Sequence, residues 1–501
     1  MQRITSETIC DLFDIAATRR IEIAHAAGLP AHTLMQRAGM ATARLAMAIT
    51  PHARTIWIAC GPGNNGGDGF EAACELQRRG FAPVVTFCGD AARLPADAMA
   101  SLRRARDAGV VIVHEPPARH DLAIDALLGI GSTRAPEGKM ADWLQLMRAA
   151  EAPLLSIDVP SGLNADTGVL VANSANAVDG ANAFSDDPQP NNKTTTAATR
   201  YCLSLLTLKP GLFTAQGRDA AGEVWFDDLG CATAVETSTA KLAGKPLITQ
   251  RAHASHKGSY GDVAVIGGAP GMVGAALLAA SAALHAGAGR VLVGLLDPHA
   301  AAVDTQQPEL MLRKVEPLDL SALTVVCGCG GGNAVRALLP RVISTAKALV
   351  LDADALNAIA LDMSLQQLLE ARVRRGRATV LTPHPLEAAR LLEASVTEVQ
   401  SDRLAAARSL AARFGVVVLK GSGSVIAAGT TAPVINLTGN ARLATAGTGD
   451  VLAGMVGAAL AGGRSAIDAA RETVWRHGAL ADRWPEDRPL TAGGLARQRP
   501  D

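Results

Sequence analysis

The stretch that decides the fold is Thr55-Ile56-Trp57-Ile58-Ala59-Cys60-Gly61-Pro62-Gly63-Asn64-Asn65-Gly66-Gly67-Asp68-Gly69, followed by Phe70-Glu71-Ala72-Ala73-Cys74-Glu75-Leu76. The opening run is apolar and β-rich, which reads as a buried strand. The closing run carries apolar residues at helical spacing. Between them lies a turn dense in glycine, so backbone N–H groups can approach a ligand and a helix N-terminus can face an anion. A strand-to-helix turn uses Gly, Asn and Asp for its backbone alone. Five glycines around Asn64, Asn65 and Asp68 exceed that need and predict a binding loop.

The same alternation of strand and helix continues outward. Strands are expected at Val84–Cys88, Val110–His114, Leu122–Asp125 and Leu154–Val159, then at Val263–Gly267, Val291–Leu295, Val325–Gly328, Ala348–Asp352, Ala378–Leu381 and Val416–Lys420. This spacing predicts parallel sheets with crossover helices, hence an α/β protein. At 501 residues more than one domain is expected. We place a first domain at 1–230, a polar linker at 231–245 and a second domain at 246–501. The polar tract within 172–200 lacks periodicity and reads as a surface insertion.

Composition narrows the function classes. Lys+Arg and Asp+Glu both total 47, so no global basic field invites nucleic acid. Aromatics make up only 3%, which argues against base stacking. The eight cysteines lack a disulfide or zinc spacing, which predicts reduced thiols and a cytoplasmic protein. No signal peptide or membrane span is evident, and a homo-oligomer acting on small molecules is expected.

In the first half, three loops fall at the C-terminal ends of predicted strands, where open α/β sheets place their sites. They are the glycine-asparagine loop, Asp125-Ala126-Leu127-Leu128-Gly129-Ile130-Gly131-Ser132-Thr133-Arg134, and Asp158-Val159-Pro160-Ser161-Gly162-Leu163-Asn164-Ala165-Asp166-Thr167-Gly168. This combination resembles the NAD(P)H-hydrate epimerase family over about Thr5–Leu229. The resemblance implies a Rossmann-like α/β/α sandwich that interconverts the R and S forms of NADHX and NADPHX, cofactors hydrated on the nicotinamide ring. It further implies that Asn64, Asn65, Gly66, Gly67, Asp68, Gly129, Ile130, Gly131, Ser132, Thr133, Arg134, Ala135 and Asp158 hold the substrate. Potassium (K+) would sit among Asn65, Asp125 and Ser161, oxygen donors that suit a hard cation. A carboxylate can pass the proton when water leaves and returns. Asp125 is the expected carrier, with Asp158 the second candidate.

In the second half, Ala446-Gly447-Thr448-Gly449-Asp450-Val451-Leu452-Ala453-Gly454 places glycines before a helix and an aspartate that can deprotonate a hydroxyl. With His256-Lys257-Gly258-Ser259-Tyr260-Gly261, Thr382-Pro383-His384-Pro385 and Leu419-Lys420-Gly421-Ser422-Gly423-Ser424, this segment resembles the ADP-dependent NAD(P)H-hydrate dehydratase family, whose fold is ribokinase-like. The resemblance implies that Ala275, Gly330, His384 and Asp450 meet the hydrate, and that Lys420, Gly421, Ser422, Gly423, Ser424 and Gly449 meet the nucleotide. ADP would be the co-substrate and Mg2+ would be oriented by Asp352. Gly328-Cys329-Gly330-Gly331-Gly332 stands where the family commonly has Gly-Pro-Gly-Leu-Gly. Two other readings stay open from sequence: a small-molecule kinase in the second half, or a non-catalytic binding module in the first.

Overall fold

The computed structural model describes residues 1–131, 134–171, 199–233, 236–247 and 253–498. Ser132, Thr133 and most of the polar tract within 172–200 lie outside them. Chain contacts divide into one unit of Met1–Thr5 with Cys10–Ala240 and another of Ser6–Ile9 with Lys241–Asp501.

In the first unit, β1 (Gln2–Arg3), β2 (Ile56–Cys60), β3 (Pro83–Phe87), β4 (Val111–Val113), β5 (Leu122–Ala126), β6 (Leu154–Ile157), β7 (Arg200–Leu205) and β8 (Glu223–Asp227) form one sheet ordered β1-β8-β7-β6-β5-β2-β3-β4. The strands from β2 to β7 thus follow the doubly wound order, with a switch point between β2 and β5. All residues of β2 and β5 are buried, as expected for strands covered on both faces. Helices α1 (Ile15–Ala26), α2 (Thr33–Ile49), α3 (Asn64–Arg78), α4 (Ala96–Asp107) and α5 (Lys139–Ala149) supply the cover.

The quoted stretch differs from its expectation in one respect. Helix α3 begins at Asn64, so Asn64–Gly69 form its first turns and not a loop ahead of it. Glycine inside a helix costs about 1 kcal/mol against alanine, and packing explains its use. A Cβ on Gly66 would sit 2.0 Å from the Gly61 carbonyl oxygen, and one on Gly69 would meet Ala126 Cβ and Cys60 Sγ at 2.7 Å.

In the second unit, β9 (Ala240–Ala243), β10 (Asp262–Gly267), β11 (Arg290–Leu295), β12 (Met311–Leu312), β13 (Thr324–Cys327), β14 (Ala348–Leu351), β15 (Thr379–Leu381), β16 (Val416–Leu419), β17 (Val425–Ala427) and β18 (Val434–Asn436) join in the order β12-β11-β10-β13-β14-β15-β16-β17-β18-β9. From β12 to β16 neighbouring strands are parallel, and β17 then pairs antiparallel with both neighbours. The short strands β9, β17 and β18 went unread in the sequence. Helices α6 (Val273–His285) and α9 (Thr448–Ala461) are apolar on nearly every face because both are buried, while α7 (Pro385–Leu392), α8 (Arg403–Phe414) and α10 (Ala466–Asp482) are amphipathic. Close approach of α9 depends on small residues. A Cβ on Gly454 would lie 2.0 Å from the Ala279 carbonyl oxygen, and one on Gly457 would lie 2.4 Å from a Val326 methyl. Among the described residues no helix is long and apolar enough to cross a membrane.

Candidate active sites

In the first unit a cavity of about 750 Å3 opens at the C-terminal ends of the strands. Of the predicted binding residues, Asn64, Asn65, Asp68, Gly129, Ile130, Gly131, Arg134 and Asp158 line it. Gly66 and Gly67 are buried inside α3, and Ala135 does not reach the lining. Asp158 follows β6 with φ at 66°, a left-handed conformation that an aspartate tolerates better than bulkier residues. Its carboxylate pairs with the ammonium of Lys209, which is 0% exposed and also donates to the Leu205 carbonyl at 2.7 Å. Burial pushes the Asp68 carboxyl well above its usual range, and the Asp158, Glu22 and Glu71 carboxylates push it further. Burial likewise raises Glu22, with Asp158 adding to it.

Asp125 lies elsewhere. It sits within β5, is 1% exposed, and lines a separate cavity of about 220 Å3 with Arg148 and Arg200. Its Oδ1 accepts from Ser161 Oγ at 2.6 Å and its Oδ2 from the Ser161 amide at 2.9 Å. Burial raises its carboxyl despite those bonds. This geometry places Asp158, and not Asp125, against the large cavity.

The same residues have the makings of a cation site. Asn65 is buried, and neither its Oδ1 nor its Nδ2 has a hydrogen-bond partner. A buried polar group left unpaired in this way costs about 1–3 kcal/mol, and a cation at the amide oxygen would offset that cost. A Cβ on Gly129 would lie 3.5 Å from Asn65 Oδ1, while Ser161 Oγ accepts from the Leu128 amide at 2.8 Å. Asn65, Ser161 and, through Ser161, Asp125 therefore converge on Leu127–Gly129. Oxygen donors of this kind fit potassium.

In the second unit the ends of β13, β14, β15 and β16 bring Cys329, Asp352, His384 and Lys420 to one edge of the sheet, facing the N-terminus of α9. Lys420 Nζ donates to Asp352 Oδ1 at 2.8 Å. A Cβ on Gly449 would lie 3.2 Å from that ammonium and 3.8 Å from Asp352 Oδ2, so glycine lets the helix end come down onto the pair. Ligand atoms of Cys329, Asp352 and Asp450 all lie within 4.8 Å of one another. Burial, then the Asp352 charge, pushes the Asp450 carboxyl up to about 6. Burial also works to lower the Lys420 ammonium, but the Asp352 and Glu387 carboxylates overcome it and raise the group.

Ala275 and Gly330 are neighbours, since a Cβ on Gly330 would meet Ala275 Cβ at 2.9 Å. His384 caps α7, its Nδ1 accepting from the Leu386 and Glu387 amides at 3.1 and 3.3 Å. The proton therefore resides on Nε2, which lies 3.3 Å from Glu387 Oε1. Burial raises Glu387 to about 7. Beneath the Lys420–Ser424 turn lies Arg403, which is 1% exposed and donates to the carbonyls of Leu419 at 3.2 Å and Lys420 at 3.1 Å. The buried His477 ring contacts the Thr448 carbonyl at 3.0 Å at the start of α9. Sequence reading missed Lys209, Glu387, Arg403 and His477. Only Leu208-Lys209-Pro210-Gly211, a lysine placed between a strand and a turn, carried a local signal.

Comparison with known proteins matches residues 31–211 to the family model described as YjeF-related protein N-terminus and residues 263–497 to that described as NAD(P)H-hydrate dehydratase. The bifunctional NAD(P)H-hydrate repair enzyme of Escherichia coli is 36% identical over 481 residues, covering 92% of this chain and 87% of that one. The ADP-dependent (S)-NAD(P)H-hydrate dehydratase of Neisseria meningitidis is 45% identical over 254 residues, covering 49% of this chain and 84% of that one. Among solved structures, the ADP/ATP-dependent NAD(P)H-hydrate dehydratase of Bacillus subtilis, co-crystallised with ATP and Mg2+, is 29% identical with a TM-score of 0.41, covering 50% of this chain and 90% of that one.

Proposed function

The chain belongs to the bifunctional NAD(P)H-hydrate repair enzymes, and from that premise we propose that its first unit epimerises NADHX and NADPHX at Asp158 while its second dehydrates the S epimer at Asp450. One observation carries this reading. Each unit holds a carboxylate beside a lysine at the C-terminal ends of parallel strands, Asp158 with Lys209 and Asp352 with Lys420, and in the second unit Asp450 in the first turn of α9 joins the pair.

For epimerisation, the hydrated ring carbon bears a hydroxyl next to the ring nitrogen. The nitrogen lone pair can expel water to give a planar iminium-like species, and water returning to the other face inverts the centre. The Asp158–Lys209 pair carries the proton of that water: it passes from the Lys209 ammonium through the Asp158 carboxylate as the hydroxyl leaves and returns the same way when water adds, which gives Asp158 the role expected of Asp125. Lys209 keeps the carboxylate in place and offsets its charge. Asn65, Asp125 and Ser161 would hold potassium, whose positive charge would stiffen the Leu127–Gly129 wall. Asn64, Asp68, Gly129, Ile130, Gly131 and Arg134 would bind the remainder of the substrate.

For dehydration, hydroxide is a poor leaving group, so the hydroxyl is first phosphorylated by ADP, leaving AMP. Asp450 takes the hydroxyl proton, and the amides at the α9 N-terminus stabilise the charge on the phosphoryl group in flight. The ring nitrogen then expels phosphate, and loss of a proton from the neighbouring ring carbon to the departing phosphate restores the dihydronicotinamide. Lys420, Gly421, Ser422, Gly423, Ser424 and Gly449 would hold the nucleotide; Ala275, Gly330 and His384 would hold the hydrate. Asp352 would orient Mg2+, which neutralises phosphate charge when bound. All eight cysteines are free thiols, which supports a cytoplasmic setting, and homo-oligomeric assembly belongs to the same reading.

The test is regeneration of NADH absorbance from mixed-epimer NADHX with the protein, Mg2+ and either ADP or ATP. Conversion of both epimers is expected. No regeneration with either nucleotide would overturn the proposal.

A further inference from the structure

We propose that His32 and Asp97 form a ribose-hydroxyl subsite that makes the first unit prefer NADHX to NADPHX. The inference rests on reading that unit as the epimerase. His32 stands at the N-cap position of α2 with φ at 70°, in the left-handed region that residues other than glycine seldom adopt. Strain of this kind persists where surrounding structure enforces it, and it points towards function. The His32 ring is held by Glu71, which is 1% exposed. Its Oε1 lies 2.8 Å from His32 Nε2 and 3.0 Å from Arg104 Nε. Gly39 makes room for the arrangement, since a Cβ there would lie 2.2 Å from Glu71 Cβ.

A carboxylate only accepts, so His32 Nε2 carries the proton, and in the neutral ring Nδ1 presents a lone pair. Nδ1 is buried and has no hydrogen-bond partner, and Asp97 Oδ1 lies 3.6 Å away, beyond bonding distance. Both residues line the large cavity. Two acceptors side by side match two hydroxyl donors, and the adjacent hydroxyls of a ribose are such a pair.

The strand order indicates which ribose. In a doubly wound sheet a dinucleotide lies across the switch point, its two halves on opposite sides. The chemistry assigned to Asp158 and Lys209 follows β6 and β7. Asp97 opens α4, which follows β3 on the other side, where the adenosine half belongs. In dinucleotide folds an acidic residue beyond the second strand takes the ribose 2′-hydroxyl. A 2′-phosphate at that point would meet the Asp97 carboxylate. The arginines that line the cavity lie on the other side, Arg19 beside Gly131 and Arg134 in the loop after β5, while Arg104 is engaged by Glu71.

The test compares kcat/KM for epimerisation of NADHX and NADPHX by the full chain, using wild type, Asp97→Asn and His32→Ala. Wild type should favour NADHX by about tenfold or more, and Asp97→Asn should narrow that to about threefold, mostly by lowering KM for NADPHX. His32→Ala should raise KM for NADHX. Thermal unfolding of the same chains controls for folding of the first unit, and Asp97, with its side chain 52% exposed, is a mild surface change. A second readout is titration with ADP-ribose and 2′-phospho-ADP-ribose. Because the substitution lies in the first unit, the difference between wild type and Asp97→Asn reports that cavity alone. Equal use of both hydrates together with ratios unmoved by Asp97→Asn would overturn the inference. Loss of epimerisation with the binding preference intact would instead sink the catalytic reading and leave the subsite standing.

Discussion

Replacing Asp450 by asparagine should make the second unit more stable while removing its activity. The folded environment raises this carboxyl from 3.8 to about 6. Ionising it in place is therefore harder than ionising it in the unfolded chain by about two pH units, each worth about 1.4 kcal/mol. The full penalty is about 3 kcal/mol, and solvent reaching the partly exposed carboxylate trims it to about 1–2 kcal/mol. The sign follows from linkage. A raised carboxyl contributes its stability below the unfolded value of 3.8 and loses it as pH climbs through about 6. Asparagine has nothing to ionise. In urea unfolding, its advantage over wild type should be small at about pH 4.5, grow to about pH 7.5 and then stay level. Dehydration should fall by about 10²–10⁴, the usual worth of a general base. An Asp450→Asn chain no more stable than wild type near neutral pH would refute the claim that this carboxylate is held ionised against its surroundings.

Two further outcomes test the supporting residues. Exchanging potassium for a bulky organic cation should slow epimerisation and leave dehydration unchanged, and Asn65→Ala should remove the sensitivity; a wild-type thermal midpoint that does not respond to potassium would count against the site. Arg403→Lys should raise the KM for ADP by about tenfold with a smaller change in kcat, because an ammonium lacks the planar fork that reaches two carbonyls at once; equal falls in kcat and kcat/KM would indicate a role in the chemistry.

The strands were legible because their apolar runs are bounded by turn residues and both faces are covered, as in Ile56–Cys60 and Val416–Leu419. The start of α3 was not, because glycine reads as a turn until the backbones packed against Gly66 and Gly69 are known. Strand-end aspartates were found, but their directions were hidden. Asp125 lies within β5, opposite Ala59 and Ser156, and turns to Ser161, while Asp158 stands one residue past β6 in a left-handed conformation. Period alone does not fix that difference. Buried charge was the other blind spot. Lys209 and Arg403 were not singled out in the sequence, yet both are enclosed, Lys209 by the Asp158 carboxylate and the Leu205 carbonyl and Arg403 by the carbonyls of Leu419 and Lys420. Backbone carbonyls are partners that every residue possesses, so those bonds leave no mark in side-chain identity.

The assignment of the proton carrier can be decided by stoichiometry. A dehydratase that accepts only the S epimer stops when that epimer is exhausted, unless the R epimer is converted. With Asp158→Asn, NADH formation from a mixed hydrate should run at the wild-type initial rate and then reach a plateau, followed only by slow gain from spontaneous epimerisation. The initial rate shows that the second unit is intact; the plateau isolates the first. Mixing this chain with Asp450→Asn should carry the reaction to completion, because each supplies through solution the step the other lacks. Asp125→Ala should behave differently. It removes a cation ligand, so its epimerisation should weaken and lose its potassium response without disappearing. If Asp158→Asn ran to completion at the wild-type rate while Asp125→Ala reached the plateau, the proton would belong to Asp125, and the large cavity lined by Asp158 would only bind the substrate.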